Sequence, residues 1–393
     1  MSENRTLLIT TGKAPVPDIC GGGVEMLTTA FIEYNKFAKL DVLTLYDKKL
    51  KVLPKNDSYN LIMVKDFWCN PDKFIVKALR YLSRKLFKKT IFSRFYRKSL
   101  SLLKSNNYDK VIVENNFEFL RNTNIADYDC DFYYHIHNDD INEYTSHAFA
   151  KLNNYLPLYK KVVCVSDFLK GQINKYIENV NCSVVLNGIE FNKFDSAFSI
   201  DKQEKIKEEL CIKNDDLVFL YAGRIFEGKG VLELVKAYKQ MQTEKTKLLI
   251  VGQFNPKKDI YHNLIYNEIK GCDSIKIIGY VENKELINYY SISNNFVLPT
   301  CKVKEAAGLV LIEAQYAGLD IIVANSGGVK EYVNMSTATI INIDNDFENN
   351  LATAMKMKIN NRVDNATINK SFALNYSIDK YILALMDEYD FVK

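Results

Sequence analysis

No stretch of the 393-residue chain approaches the roughly 18 consecutive apolar residues of a membrane-crossing helix. The N-terminal MSENRTLLITTG lacks a basic segment leading into an apolar core, so no secretory leader is expected and the chain reads as cytoplasmic. Eight cysteines (Cys20, Cys69, Cys130, Cys164, Cys182, Cys211, Cys272, Cys301) include no CxxC pair, and none stands at metal-ligand spacing from a histidine. That pattern excludes a cysteine zinc site and a disulfide scaffold; most of these thiols are expected to be small buried groups in a reducing compartment. A GxGxxG dinucleotide fingerprint is missing, as are solenoid-period repeats and low-complexity tracts.

What is present describes a globular protein, with 47% hydrophobic and 25% charged residues. The length exceeds the size at which one core stops growing, so two domains are expected. The net charge of +4 is unevenly placed: Lys73 to Lys104 holds eleven Lys or Arg and no acid, and subtracting those leaves −7 for the rest. Within it Lys73, Lys77, Arg80, Arg84 and Lys88 recur every three to four residues while Phe74, Leu79, Leu82, Leu86 and Phe87 fill other sectors. This is the pattern of a basic amphipathic helix on an anionic membrane surface, and equally of an outward-facing helix of a globular domain. No recognisable nucleic-acid motif accompanies the charge, so no nucleic-acid partner is expected.

Short β-branched runs alternate with helical stretches throughout. Strands are expected at Thr6 to Thr10, Asp41 to Leu45, Leu61 to Lys65, Lys110 to Glu114, Asp131 to Ile136 and Lys161 to Val165. A second series runs Leu217 to Ala222, Lys247 to Val251, Ile275 to Ile278, Phe296 to Pro299, Asp320 to Ala324 and Thr339 to Asn342. Such alternation implies α/β architecture with two doubly wound, Rossmann-like parallel sheets. The expected division is 1–190, rejoined by a crossing helix in about 374–393, and 191–373.

In doubly wound sheets ligands gather beyond the carboxyl ends of strands, which makes those segments the ones to read. After the first strand, Gly21, Gly22 and Gly23 precede an apolar helix, where amides can cradle a phosphate or simply make a tight turn. The fifth strand ends in YYHIHNDD, placing His137 at the strand end as a candidate hydroxyl donor or proton carrier, with His135 packed beneath it on the same face. After Leu217 to Ala222 comes GRIFEGKG, where Arg224 and Lys229 flank a turn that opens a helix and would neutralise a diphosphate. Gly279 to Val281 offers backbone against a flat base. In EAAGLVLIE, Glu305 and Glu313 stand eight positions apart; Gly308 and Leu309 open the following helix at an anion site, and Glu313 inside it suits a ribose diol. The alternative is that both glutamates are solvated helix-face residues.

Taken in order, GGG after the first strand, the histidine ending the fifth, LNGIE at the linker, AGRxxxxKG, VLP before Glu305, the E-x7-E pair and SGGxxE resemble the retaining glycosyltransferases of family 4, which have the GT-B fold. The resemblance runs through nearly the whole chain. It implies two domains facing across a cleft, with Gly22, Gly23, Arg224, Lys229, Gly308, Leu309 and Glu313 binding the donor and His137 and Glu305 beside the reacting centre. One departure is Ala307, where family members commonly carry an aromatic residue, which puts the shape of the sugar pocket and the donor's identity in question.

The expectation is therefore transfer of a hexose, with retention, from a nucleotide-diphosphate sugar, UDP being the expected nucleotide, to a glycan acceptor. The basic segment adds the expectation of a lipid-linked oligosaccharide acceptor in capsular, exopolysaccharide or O-antigen assembly at the inner membrane face. No DxD-like acidic pair stands in the expected donor site, so neither metal nor cofactor is expected. The alternatives are a nucleotide-sugar epimerase and a non-catalytic partner subunit.

Overall fold

The computed structural model describes residues 5–19, 21–35, 39–54, 56–66, 74–87, 92–138, 152–361 and 363–392. It divides into two compact units, Met1–Leu186 with Tyr381–Lys393, and Asn187–Lys380.

The N-terminal unit is built on seven parallel strands: β1 (Thr6–Ile9), β2 (Leu40–Leu45), β3 (Tyr59–Val64), β4 (Lys110–Glu114), β5 (Asp131–Ile136), β6 (Lys161–Cys164) and β7 (Cys182–Val184). They lie in the order β3-β2-β1-β4-β5-β6-β7. The C-terminal unit orders β8 (Leu217–Ala222), β9 (Thr246–Val251), β10 (Ile275–Gly279), β11 (Asn295–Leu298), β12 (Asp320–Ala324) and β13 (Thr339–Ile341) as β10-β9-β8-β11-β12-β13, again all parallel. Burial follows position in the sheet. β1, β4, β8, β11 and β12 are buried at every residue, whereas the edge strands β3, β7, β10 and β13 are mostly half-exposed. Helices on both faces explain why the central strands read as unbroken apolar runs such as LVFLYA.

Each sheet has one point where the strand order reverses, between β1 and β4 in the first unit and between β8 and β11 in the second. At such a point the connections leave in opposite directions and open a crevice at the carboxyl end.

The final helix, Ile378–Glu388, begins in the C-terminal unit and continues into the N-terminal one. Its first-unit part buries Tyr381, Ile382, Leu385, Met386 and the following Tyr389. The last carbonyls of the helix end need partners. Lys110 on β4 supplies them, donating to the carbonyl oxygens of Tyr389, at 2.8 Å, and Asp390. Asp390 in turn takes the Tyr133 hydroxyl at 2.8 Å and an ion pair from Lys160 at 2.8 Å.

The basic segment forms two helices, Phe74–Phe87 and Arg94–Ser105, rather than a single amphipathic rod. Ser93 ends the gap by capping the second, its side chain accepting from the Tyr96 amide. On the first helix Leu79, Tyr81, Leu82 and Leu86 are exposed, Leu86 to 67% and Tyr81 to 64%, beside exposed Lys85. Arg94, Arg97, Lys98 and Lys104 are exposed on the second. Lys73, Lys88 and Lys89 lie outside the described residues, as do the side chains of Lys77, Arg80 and Arg84. No described helix is long and apolar enough to cross a membrane.

Candidate active site

In the C-terminal unit the residues singled out from the sequence converge on the strand-order reversal. β8 ends at Ala222; Gly223 and exposed Arg224 follow, then a single 3-10 turn, Glu227–Lys229, then the helix Val231–Met241. Gly230 joins turn to helix in the left-handed region at φ +69°, and a Cβ there would stand 2.1 Å from the carbonyl oxygen of Pro299. Only glycine admits this approach, which brings the β8 connection against the end of β11. The Lys302 amide closes the contact by donating to Gly228 O at 3.2 Å.

Across that contact Lys229 Nζ lies 2.5 Å from Glu305 Oε1, and the Thr300 hydroxyl donates to the same oxygen at 2.5 Å. The Lys229 and Glu305 side chains are only 14% and 12% exposed. The SGG segment holds Glu305 from the other side: Gly328 N donates to Glu305 O at 2.7 Å, and Gly327, at φ +64°, lies so close that a Cβ would be 2.1 Å from the same carbonyl oxygen. Arg224 makes no ion pair among the described residues; its guanidinium lies 5.3 Å from the centre of the Phe226 ring. The Tyr221 hydroxyl ties it in by donating to Arg224 O at 2.6 Å. Burial raises Tyr221 well above the ordinary phenol range, with the charge of Glu305 adding to the effect.

Gly308 opens the helix Leu309–Tyr316 without any side-chain cap, so the first amides of that helix, from Leu309 on, keep no side-chain partner. Glu313, at the start of the helix's second turn, is 3% exposed. Its Oε1 accepts from Asn283 Nδ2 at 3.2 Å and its Oε2 from the Tyr290 hydroxyl at 2.9 Å. Burial raises its pKa, partly offset by those two donors. Each carboxylate oxygen still has a lone pair to offer a diol. Neither glutamate of the pair is a solvated helix-face residue. Asn283, Tyr290 and Thr300 escaped the sequence reading because they carry no motif of their own; proximity in the fold alone brings them to Glu313 and Glu305.

In the N-terminal unit the glycine run opens the helix Gly23–Tyr34, with Gly22 as its N-cap. As a phosphate cradle, however, it is preoccupied. Asp18 Oδ1 takes the amides of Gly21 and Gly22 at 2.9 and 3.5 Å, and a Cβ on Gly22 would meet Glu25 Oε2 at 2.2 Å. Glu25 is buried and its other oxygen accepts from the Thr11 hydroxyl at 2.8 Å. Two carboxylates beside these amides repel a phosphate and favour a neutral hydroxyl.

His137 lies just past β5, buried, with His135 beneath it on the same face and the ring centres 4.0 Å apart. Both meet Glu114 at the end of β4. His137 Nε2 is 2.9 Å from Glu114 Oε2, and His135 Nδ1 is 3.2 Å from the same oxygen. Asn115, in the left-handed region at φ +44°, carries the β4 connection away and accepts from the His137 amide at 3.2 Å. Asn116 ties the connection to β1 by donating to Thr10 O at 2.9 Å. Burial pushes Glu114 up, but the histidines outweigh it and leave the carboxyl at about 2. His137 falls to about 4, chiefly through burial and then through His135. Asp139, next in the sequence motif, lies outside the described residues.

Glu114, His135 and His137 also form a group whose ligand atoms lie within 4.8 Å of one another, a spacing open to a metal ion. Their remaining ring nitrogens, His135 Nε2 and His137 Nδ1, are buried with no hydrogen-bond partner among the described residues. A metal-bound histidine ordinarily passes its outer N–H to an acceptor, so this trio fits a metal poorly and fits two histidines donating to one carboxylate well.

Residues 202–370 match the family model of glycosyl transferases group 1. Among curated relatives, a lipopolysaccharide 1,2-N-acetylglucosaminetransferase of Salmonella typhimurium is 30% identical over 181 residues, 44% of this chain and 46% of that one. The capsular polysaccharide biosynthesis glycosyltransferase CapM of Staphylococcus aureus is 29% identical over 46% of this chain and 47% of its own. The chain thus spans about half the length of these relatives. Solved structures match over the whole length: a glycosyltransferase from Rickettsia africae has a TM-score of 0.75 at 20% identity, covering 100% of both chains. The Anabaena protein HepE, crystallised with UDP and glucose, has 0.71 at 16%, covering 99% of both. At these identities the likeness establishes the fold, that of the GT-B glycosyltransferases.

Proposed function

We propose that the chain is a retaining, metal-independent glycosyltransferase that moves a hexose from a UDP-sugar to a glycan acceptor in surface-polysaccharide assembly. The observation that carries this reading is the joining of Lys229, Thr300 and Glu305 at the reversal between β8 and β11, beside Arg224, which has no ion pair among the described residues, and the helix opened by Gly308 without a side-chain cap. A diphosphate leaving group develops negative charge as the glycosidic bond breaks, and preorganised cations and helix amides stabilise it. Arg224, Lys229 and the amides of Leu309 and Val310 supply both without a divalent ion. Glu313 takes the ribose diol with Asn283 and Tyr290 holding its carboxylate.

The names of the curated relatives, a lipopolysaccharide transferase and a capsular polysaccharide transferase, support a surface glycan as acceptor. The exposed Leu79, Tyr81, Leu82 and Leu86 beside exposed cations support a lipid-linked form of it, approached from the cytoplasmic face of an anionic bilayer.

The test is a thermal-shift screen of the purified chain against UDP-, GDP-, ADP- and dTDP-sugars, with Glu313→Ala as control. Stabilisation by the UDP series that disappears in the variant is the expected result. No shift with any nucleotide sugar would move the chain to the role of a non-catalytic partner.

A further inference from the structure

Arg224 and Lys229 sit on one connection in the C-terminal unit, and a single helix, Ile260–Glu268, pins that connection at both ends. Asp259 caps this helix, its side chain accepting from the His262 amide at 3.0 Å. Two neighbouring side chains reach out from its first turn. The Tyr261 hydroxyl accepts from the Leu232 amide at 2.9 Å, in the opening turn of the helix Val231–Met241, just beyond Lys229. His262, 7% exposed, places Nε2 2.7 Å from Ile225 O, one residue beyond Arg224. Its Nδ1 lies 3.0 Å from the backbone nitrogen of Asn255, on the connection that follows β9.

These partners fix the hydrogens of the ring. A carbonyl oxygen only accepts and a backbone N–H only donates, so Nε2 carries the hydrogen and Nδ1 is bare. A second hydrogen, on Nδ1, would face the Asn255 N–H. The imidazole is therefore neutral, with its tautomer set from both sides.

Arg224 depends on such support. Its side chain is exposed and makes no ion pair among the described residues. The order it has comes through the backbone: the Tyr221 hydroxyl donates to Arg224 O at 2.6 Å and His262 to the next carbonyl at 2.7 Å, which fixes two successive peptide planes. Gly252 closes the same region from the β9 side, where a Cβ would stand 2.2 Å from Gly223 O. A planar guanidinium meets a diphosphate through a fork of fixed geometry, so the direction in which the backbone launches it decides how well the fork fits.

We propose that His262 is a positioning residue: by donating its Nε2–H to Ile225 O, it aims the Arg224 guanidinium at the diphosphate of the nucleotide ligand, while Tyr261 holds the far end of the same connection behind Lys229. The diphosphate part rests on the transferase reading; the tautomer does not. His262 acts through Arg224 and not on the ligand.

Long-range proton–nitrogen NMR on histidine-labelled protein at neutral pH reads the tautomer, tractable because the chain has four histidines. The ring whose signals vanish in His262→Gln is expected to be protonated at Nε2 and bare at Nδ1. The reverse form, or a doubly protonated ring, overturns the proposal.

Titration calorimetry with UDP and with uridine separates positioning from packing. His262→Ala should weaken UDP about 3- to 10-fold, the worth of one hydrogen bond, and leave uridine unchanged. His262→Gln, whose amide keeps a donor for Ile225 O, should recover part of the loss. In an Arg224→Ala background His262→Ala should cost UDP little further. Equal losses for UDP and uridine, or the same loss with Arg224 already removed, would mark His262 as merely structural and overturn the proposal. UDP bound by His262→Ala as tightly as by wild type overturns it as well. Should His262→Ala not fold, His262→Gln and the wild-type spectrum carry the test. Wild type that binds no nucleoside diphosphate removes the transferase reading, and the diphosphate role with it, whatever the tautomer.

Discussion

Lys229 Nζ and Glu305 Oε1 stand 2.5 Å apart across the junction of the β8 and β11 connections, with the Thr300 hydroxyl on the same oxygen. The glutamate nearest the expected reacting centre is thus held by the cation expected to receive the diphosphate. When a diphosphate arrives, it competes with Glu305 for that ammonium. Lys229→Ala removes the cation and frees the carboxylate together. It should lower kcat/KM for the donor by about 10²- to 10³-fold, with Lys229→Arg retaining part of the rate. Steady-state kinetics of the two variants decide it, and an alanine variant with wild-type kinetics would remove Lys229 from the site.

The same junction makes a stability prediction. Gly230→Ala forces a side chain into the left-handed region and against Pro299 O, so a loss of about 1–3 kcal/mol is expected. Gly171, inside the helix Asp167–Tyr176, has nothing within 4 Å of a Cβ, and Gly171→Ala should stabilise by up to about 1 kcal/mol. Urea unfolding of the pair reads both signs; a Gly230→Ala protein as stable as wild type contradicts the described approach.

The contrast shows what the sequence could and could not reveal. Twelve expected strands appear within two residues of their places because central strands of a covered parallel sheet are long apolar runs between polar turns. β7 was missed: three half-exposed residues, Cys182–Val184, carry too little pattern. Arg224, Lys229, Glu305 and Glu313 were legible because each sits in a spaced motif after a strand. Asn283, Tyr290 and Glu114 were not, since each acts through a partner 30, 23 or 23 residues away in sequence. Nor did the acids Asp18 and Glu25 give any sign in the sequence of facing the glycine run.

Acid should find the histidine cluster. His137 holds its proton only near pH 4 when folded, against about 6.5 for an ordinary histidine, so between those values the unfolded chain binds more protons. Stability then falls as pH drops through this window, by roughly 3 kcal/mol at its foot. Glu114, depressed to about 2, adds a further loss below the ordinary carboxylate range. Urea midpoints measured from pH 7 to 4 should decline less steeply in His137→Gln; identical slopes would contradict the burial of a neutral His137.

The proposed membrane contact of the helix Phe74–Phe87 combines the exposed Leu82 and Leu86 with exposed Lys85. Replacing Arg80, Arg84, Lys88 and Lys89 by Glu should release the protein from anionic vesicles, at about 1 kcal/mol per charge near the surface. Cosedimentation unchanged by the four substitutions would rule out this surface.

The most direct measurement follows free sugar released from the nucleotide sugar that stabilises the protein, in excess chelator, for wild type and Glu305→Gln. Metal-independent stabilisation of the diphosphate by Arg224, Lys229 and the helix at Gly308 predicts full wild-type activity with chelator present and a loss of at least about 10²-fold in the variant. Activity abolished by chelator and restored by a divalent cation would contradict that account.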